Sequence, residues 1–141
     1  MDIAENGSPK FIGADVWRRA HYYLSIRKTV QYLERSFGES IGLTQMAMTA
    51  GMEKTAFSRA FKHKTGVTVH EFIQAYRVSE AATRMEISDC SITDVAFSVG
   101  FSNLDTFERA FKRIAWDYPR NYRLEVLRTN CLTPVTRKPG K

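Results

Sequence analysis

Apolar residues recur along this chain at helical spacing, in short stripes separated by turn residues. Leu43, Met46, Ala47 and Ala50 fall at i, i+3, i+4 and i+7, one face of a helix starting near Gly42. Gly51 follows, a residue that adopts the left-handed turn conformation at little cost. Glu53 opens the next helix, where a carboxylate suits the positive helix N-terminus. Ala56, Phe57, Ala60 and Phe61 form its expected buried side, and Gly66 stops it. The same plan returns downstream. Ser91 caps a helix with Asp94 three residues on, and Ile92, Val95, Ala96 and Val99 are its stripe. Gly100 turns the chain, and Asn103 or Ser102 caps a helix that buries Phe107, Ala110 and Phe111.

Three further helices complete the pattern. Asp15 can cap a long first helix to about Phe37, with Ile26, Val30, Leu33 and Phe37 as its stripe. A central helix runs from about Val69 to Met85, and a last one opens at Pro119, a favoured first-turn position, and reaches about Leu127. No segment sustains period-two alternation, so strands are not expected. The expected fold is all-α: a seven-helix domain over 14–128 with two helix-turn-helix subdomains joined by a central linker helix. The first unit spans about 42–65, the linker about 69–85 and the second unit about 91–115. The ends, 1–13 and the basic stretch 129–141, hold Gly, Pro and polar residues and are expected to be flexible.

The two units are copies of each other. Phe57-Ser58-Arg59-Ala60-Phe61-Lys62 recurs as Phe107-Glu108-Arg109-Ala110-Phe111-Lys112, an offset of 50. Upstream, Ala47-Met48-Thr49-Ala50-Gly51 recurs as Ala96-Phe97-Ser98-Val99-Gly100, an offset of 49, so the turn differs by one residue between copies.

Composition narrows the function classes. With 141 residues, 43% of them hydrophobic and 26% charged, the chain suits one soluble domain or two small lobes sharing a helix. No apolar run approaches the length of a membrane span, and the polar N-terminus does not resemble a signal peptide, so a cytoplasmic location is expected. Cys90 and Cys131 are isolated, and His21, His63 and His70 are scattered, so neither a metal site nor a cofactor is expected. The formal net charge of +6 points to a polyanionic partner. Its placement matters more: over 109–128, six cationic side chains face only Asp117 and Glu125.

Leu43 through Arg77 reads LTQMAMTAGMEKTAFSRAFKHKTGVTVHEFIQAYR, and Ser91 through Arg123 reads SITDVAFSVGFSNLDTFERAFKRIAWDYPRNYR. Both resemble the two helix-turn-helix units of the AraC/XylS family of transcription regulators, over about residues 20–125. The second is the more specific match, through I-x-D-V-A-x-x-V-G-F-S followed by F-x-R-A-F-K-R. One departure stands out. Where the family has a glycine-containing turn ending in Ser-Pro, this chain has Ile114-Ala115-Trp116-Asp117-Tyr118-Pro119, keeping the proline but not the glycine. The turn geometry and the last helix therefore do not carry over from the family. The resemblance implies a DNA-binding regulator, more often an activator, with RNA polymerase as a further partner. Met1 and the short stretch before the first helix favour the small single-domain members over an excised domain.

The outward residues suit double-stranded DNA on physical grounds as well. Residues two apart on a helix point about 200° apart, so Arg59 faces out if Phe57 and Phe61 face in. Thr55, Ser58, Arg59 and Lys62 then form an outward stripe of donors without an acid, and Arg can read guanine in the major groove. The matching stripe of the second unit is Asp105, Glu108, Arg109 and Lys112, with Asn103 and Thr106 beside it. Asp105–Arg109 and Glu108–Lys112 are spaced as i,i+4 ion pairs. The two acids can hold the cations in position, stay solvated, or accept from cytosine N4. The expected base-reading set is Thr55, Ser58, Arg59, Asn103, Asp105, Thr106, Glu108 and Arg109. Phosphate contacts are expected from Lys54, Lys62, Lys112, Arg113 and Arg123. A linker of this length, about 25 Å, suits two reading helices near one DNA turn apart, about 34 Å. One monomer could then bind an asymmetric site. Catalysis finds no motif with the required spacing, and a helical bundle that binds proteins without DNA is the remaining alternative.

Overall fold

The computed structural model describes residues 8–132, and every element in that span is an α-helix. In chain order these are α1 (Ala14–Tyr22), α2 (Leu24–Ser36), α3 (Leu43–Ala50), α4 (Lys54–Thr65), α5 (Val69–Ile87), α6 (Ile92–Ser98), α7 (Leu104–Ala115) and α8 (Pro119–Leu132). The all-helical reading holds, with α3 and α4 covering 43–65 and α6 and α7 covering 92–115. The count of seven does not, because eight helices occur among the described residues.

The extra helix comes from a break at Tyr23, whose backbone is extended (φ −92°, ψ 124°). The reason lies in the stripes. Ala20 and Ile26 are both fully buried, yet six positions on one helix would leave them about 120° apart. Breaking the helix lets α1 turn Ala20 inward while α2 turns Ile26, Thr29, Val30 and Leu33 inward. Asp15 is not the cap either. Gly13 holds that position, and Asp15 sits in the first turn, paired with Arg18 and Arg19.

Two apolar cores result. Ile26, Val30, Leu33, Met46, Phe57, Phe61 and Phe72 centre the first, and Met85, Val95, Ala96, Phe107 and Phe111 centre the second. Helix α5 serves both. Val69, Phe72, Ile73 and Tyr76 enter the first core, whereas Val78, Ala81, Ala82 and Met85 enter the second. Tyr76 and Val78 are two positions apart, about 200° round the helix, so the lobes attach to opposite faces of α5. Arg77 sits at that crossover. Its Nε donates to the Phe37 carbonyl at 2.9 Å and its Nη2 to the Glu39 carbonyl at 2.8 Å.

The N-terminal stretch was expected to be flexible, and Ser8 to Ile12 depart from that. Ser8, Pro9 and Ile12 are buried. The Phe11 amide donates to Ser79 Oγ at 2.8 Å, and its ring meets Phe111 and Tyr122 edge-on at 6.4 Å each. Lys10 pairs with Glu86 at 2.7 Å. Ile12 joins the first core and Phe11 packs on the second, so the segment straps the two lobes together. Its apolar residues are too few for a periodic signal; only the groove between the lobes gives them a place. At the other end α8 continues to Leu132, so the first residues of the expected tail are helical; residues 1–7 and 133–141 lie outside the described residues.

Candidate nucleic-acid interface

Each unit presents its second helix outward through a short capped turn. Gly51 ends α3 in the left-handed conformation (φ 72°), with its own amide donating to the Met48 carbonyl and the Met52 amide to that of Ala47. Glu53 then caps α4, its Oε1 accepting from the Ala56 amide at 2.9 Å. Donation from the Ala56 and Thr55 amides holds the Glu53 carboxyl below the ordinary glutamate range. In the second unit the turn glycine, Gly100, has φ 110° and is followed by buried Phe101, which packs edge-on against Phe107 at 5.2 Å. Asn103 caps α7 from one residue further on, Oδ1 accepting from the Thr106 amide at 2.8 Å. That extra residue accounts for the change of offset from 49 to 50.

On α4, Phe57, Phe61 and Thr65 are buried, the Thr65 hydroxyl donating to the Phe61 carbonyl at 2.8 Å. The inward line through these three residues turns the exposed face toward Ala56, Arg59 and His63. Lys54, Thr55, Arg59 and Lys62 are exposed as expected. Ser58 is half-buried, at the edge of the core, and Ala56 is exposed although the pattern suggested burial. His63 is the residue that sequence reasoning missed. Counting Thr65 with the inward set would have found it.

On α7, Phe107, Ala110 and Phe111 are buried, leaving Asp105, Arg109, Lys112 and Arg113 exposed. Thr106 and Glu108 are half-buried. Asp105 Oδ2 pairs with Arg109 Nη2 at 2.9 Å, as the spacing suggested. The expected Glu108–Lys112 pair does not form. The Lys112 ammonium lies instead over the Tyr118 ring, 4.8 Å from its centroid. Arg113 donates to Gln74 Oε1 of α5 at 2.5 Å. Arg123 stands apart from these residues, half-buried on α8, with Nη2 donating to the Ser88 carbonyl beyond the end of α5 at 3.2 Å. That contact ties α8 to α5. Asn103 commits its carbonyl oxygen to the cap and is exposed.

Among the described residues no group of His, Cys, Asp or Glu could hold a metal ion, and no helix is long and apolar enough to cross a membrane.

Residues 46–125, more than half the chain, match the sequence profile of a helix-turn-helix domain family. The chain belongs to the AraC-type helix-turn-helix family. Among relatives of this type, the TetD protein of transposon Tn10 from Escherichia coli is 33% identical over 98 residues, covering 70% of this chain and 71% of that protein. An uncharacterised HTH-type transcriptional regulator of Staphylococcus aureus is 30% identical over 98 residues. The chain spans only 13% of that regulator's length. The DNA-binding domain of AdpA, solved in complex with a target DNA, superposes with a TM-score of 0.69 at 24% identity, covering 78% of this chain and 96% of that one. The matched segment runs from within α3 to within α8, and α1 and α2 lie wholly ahead of it.

Proposed function

We propose that this chain is a sequence-specific DNA-binding transcription regulator that lays α4 and α7 in successive major-groove segments. One observation carries the reading. Arg59 and Arg109 stand fully outward at equivalent positions of two copied helices, and both units are anchored to opposite faces of one helix. The 19 residues of α5 give it a length of about 28 Å, close to one turn of DNA. Both reading heads belong to one chain, so a monomer on an asymmetric site is sufficient. The complex of the AdpA domain with its target DNA supports the same use of the fold here.

Arg59 and Arg109 read base edges, with Thr55 and the half-buried Ser58 beside the first and Asp105, Thr106, Glu108 and the Asn103 amide beside the second. Lys54, Lys62, Lys112 and Arg113 contact phosphates. Arg123 acts on DNA only by fixing α8. The first unit supplies most of the affinity. In the second, Asp105 holds Arg109 in one direction and narrows the accepted sequences. Activation through contact with RNA polymerase, in the cytoplasm and without a cofactor, is the corresponding cellular role.

Genome-wide binding of the tagged protein, followed by gel shifts on the recovered sites, tests the reading. A preference over unrelated duplex of about 10³ or more is expected. Failure to shift any promoter fragment at low salt would favour a helical bundle that binds proteins.

A further inference from the structure

We propose that a basic cleft between α1 and the end of α4 holds backbone phosphates of duplex DNA flanking the segment that α4 reads. The cleft is open, about 360 Å³, and is lined by Arg18, Arg19, Tyr22, Tyr23, His63 and Lys64. Four of these six side chains are basic and none is acidic. Tyr22 is 76% exposed, and Lys64 Nζ stands over the Tyr23 ring, 4.7 Å from its centroid, which keeps the ammonium at the cleft wall.

Position ties the cleft to the groove-reading face. His63 lies four residues beyond Arg59 on the same outward side of α4, a rise of about 6 Å. A helix lying in a groove about 12 Å wide has the phosphate rows close to its ends and flanks. The cleft therefore opens where one of those rows passes. Arg18 and Arg19 are 72% and 50% exposed, and both lean on the single carboxylate of Asp15. One exposed carboxylate cannot neutralise two guanidiniums, and such pairs are easily surrendered to a phosphate. Arg18, Arg19 and Lys64 gather three cations here, with Asp15 the one carboxylate that meets two of them. That excess suits an anion supplied from outside.

Helix α1 lies ahead of the matched AraC-type segment, so this site enlarges the footprint beyond the two helix-turn-helix units. The proposal rests on the reading of α4 as a groove-inserted helix. The test measures affinity against salt for the wild type, Arg18→Ala/Arg19→Ala and Arg59→Ala. Two duplexes are used, one extending about ten base pairs past the α4 segment and one trimmed at its edge. On the long duplex the double variant should bind severalfold more weakly at low salt, with the slope of log K against log salt reduced by about 1 to 2. On the trimmed duplex it should match the wild type. An unchanged slope on the long duplex, or an equal loss on both, overturns the cleft while Arg59→Ala still weakens binding to both. Indifference of both duplexes to Arg59→Ala, or no binding by the wild type, overturns the reading of α4 and the cleft with it.

Discussion

Trp116 occupies, 50 positions on, the place of Gly66, and it adopts the same left-handed backbone conformation. Gly66 has φ 90° and donates to the Lys62 carbonyl at 2.8 Å; Trp116 has φ 68° and donates to the Lys112 carbonyl at 2.9 Å. Trp116 is the only non-glycine residue with positive φ among those described. The glycine missing from the second turn is thus replaced without changing the turn. Pro119 still opens α8 immediately afterwards.

A left-handed conformation costs a residue with a Cβ about 1–2 kcal/mol, and glycine gives back part of that gain through unfolded-state entropy. The Trp116 side chain is 86% exposed, so little packing is at stake. Trp116→Gly should therefore stabilise the domain by about 0.5–1 kcal/mol. Urea unfolding checks this through a raised midpoint at unchanged slope. A lowered midpoint would mean that the indole contributes packing.

The two turn glycines should respond differently to a methyl group. At Gly51 a Cβ would meet nothing within 4 Å, and only its φ of 72° resists substitution. At Gly100 it would lie 2.4 Å from the Phe37 carbonyl oxygen and 2.7 Å from Arg77 Nε. Gly51→Ala should cost about 1 kcal/mol. Gly100→Ala should cost about 3 kcal/mol or more, because it forces the lobes apart where Arg77 joins them. Equal losses in urea unfolding would remove this explanation of the interlobe contact.

Glu53 gives the first unit a pH dependence with a defined sign. Amide donation lowers its folded-state pKa, so the ionised cap stabilises α4 fully above the unfolded value of about 4.3. The contribution is lost as pH falls through the lower folded value. The wild type should be more stable than Glu53→Gln at pH 7, and the difference should shrink on acidification below about pH 4. A difference that stays constant from pH 7 to 3 would show that the charge is not involved.

Much of this was legible in the chain. Phe57 and Phe61 recur as Phe107 and Phe111 with the turn glycines upstream, and such pairs have one helical reading. The break at Tyr23 was not legible, because a small residue such as Ala20 gives no sign in the sequence that it faces the core. Other features depend on contacts distant in sequence. Phe11 becomes a strap only because Ser79, Phe111 and Tyr122 converge on it. Arg123 reads as a surface cation until Ser88 is seen to accept from it. Lys112 has Glu108 at the favourable spacing, yet Tyr118 captures it from across the turn.

The two outward arginines should differ in what they control. Arg59→Ala should reduce affinity more than Arg109→Ala on one selected site, and Asp105→Asn should raise binding to unrelated duplex by releasing Arg109 from its carboxylate. Competition gel shifts at fixed salt check both. A larger affinity loss for Arg109→Ala would reverse the assignment of roles.

Two reading helices on one chain are tested most directly by hydroxyl-radical footprinting of a selected site, with stoichiometry measured on the same complex. The expected result is one chain per duplex and two protected backbone segments about 10–10.5 base pairs apart, unrelated by two-fold symmetry. A single protected segment, or a two-fold symmetric pair bound by two chains, would contradict it.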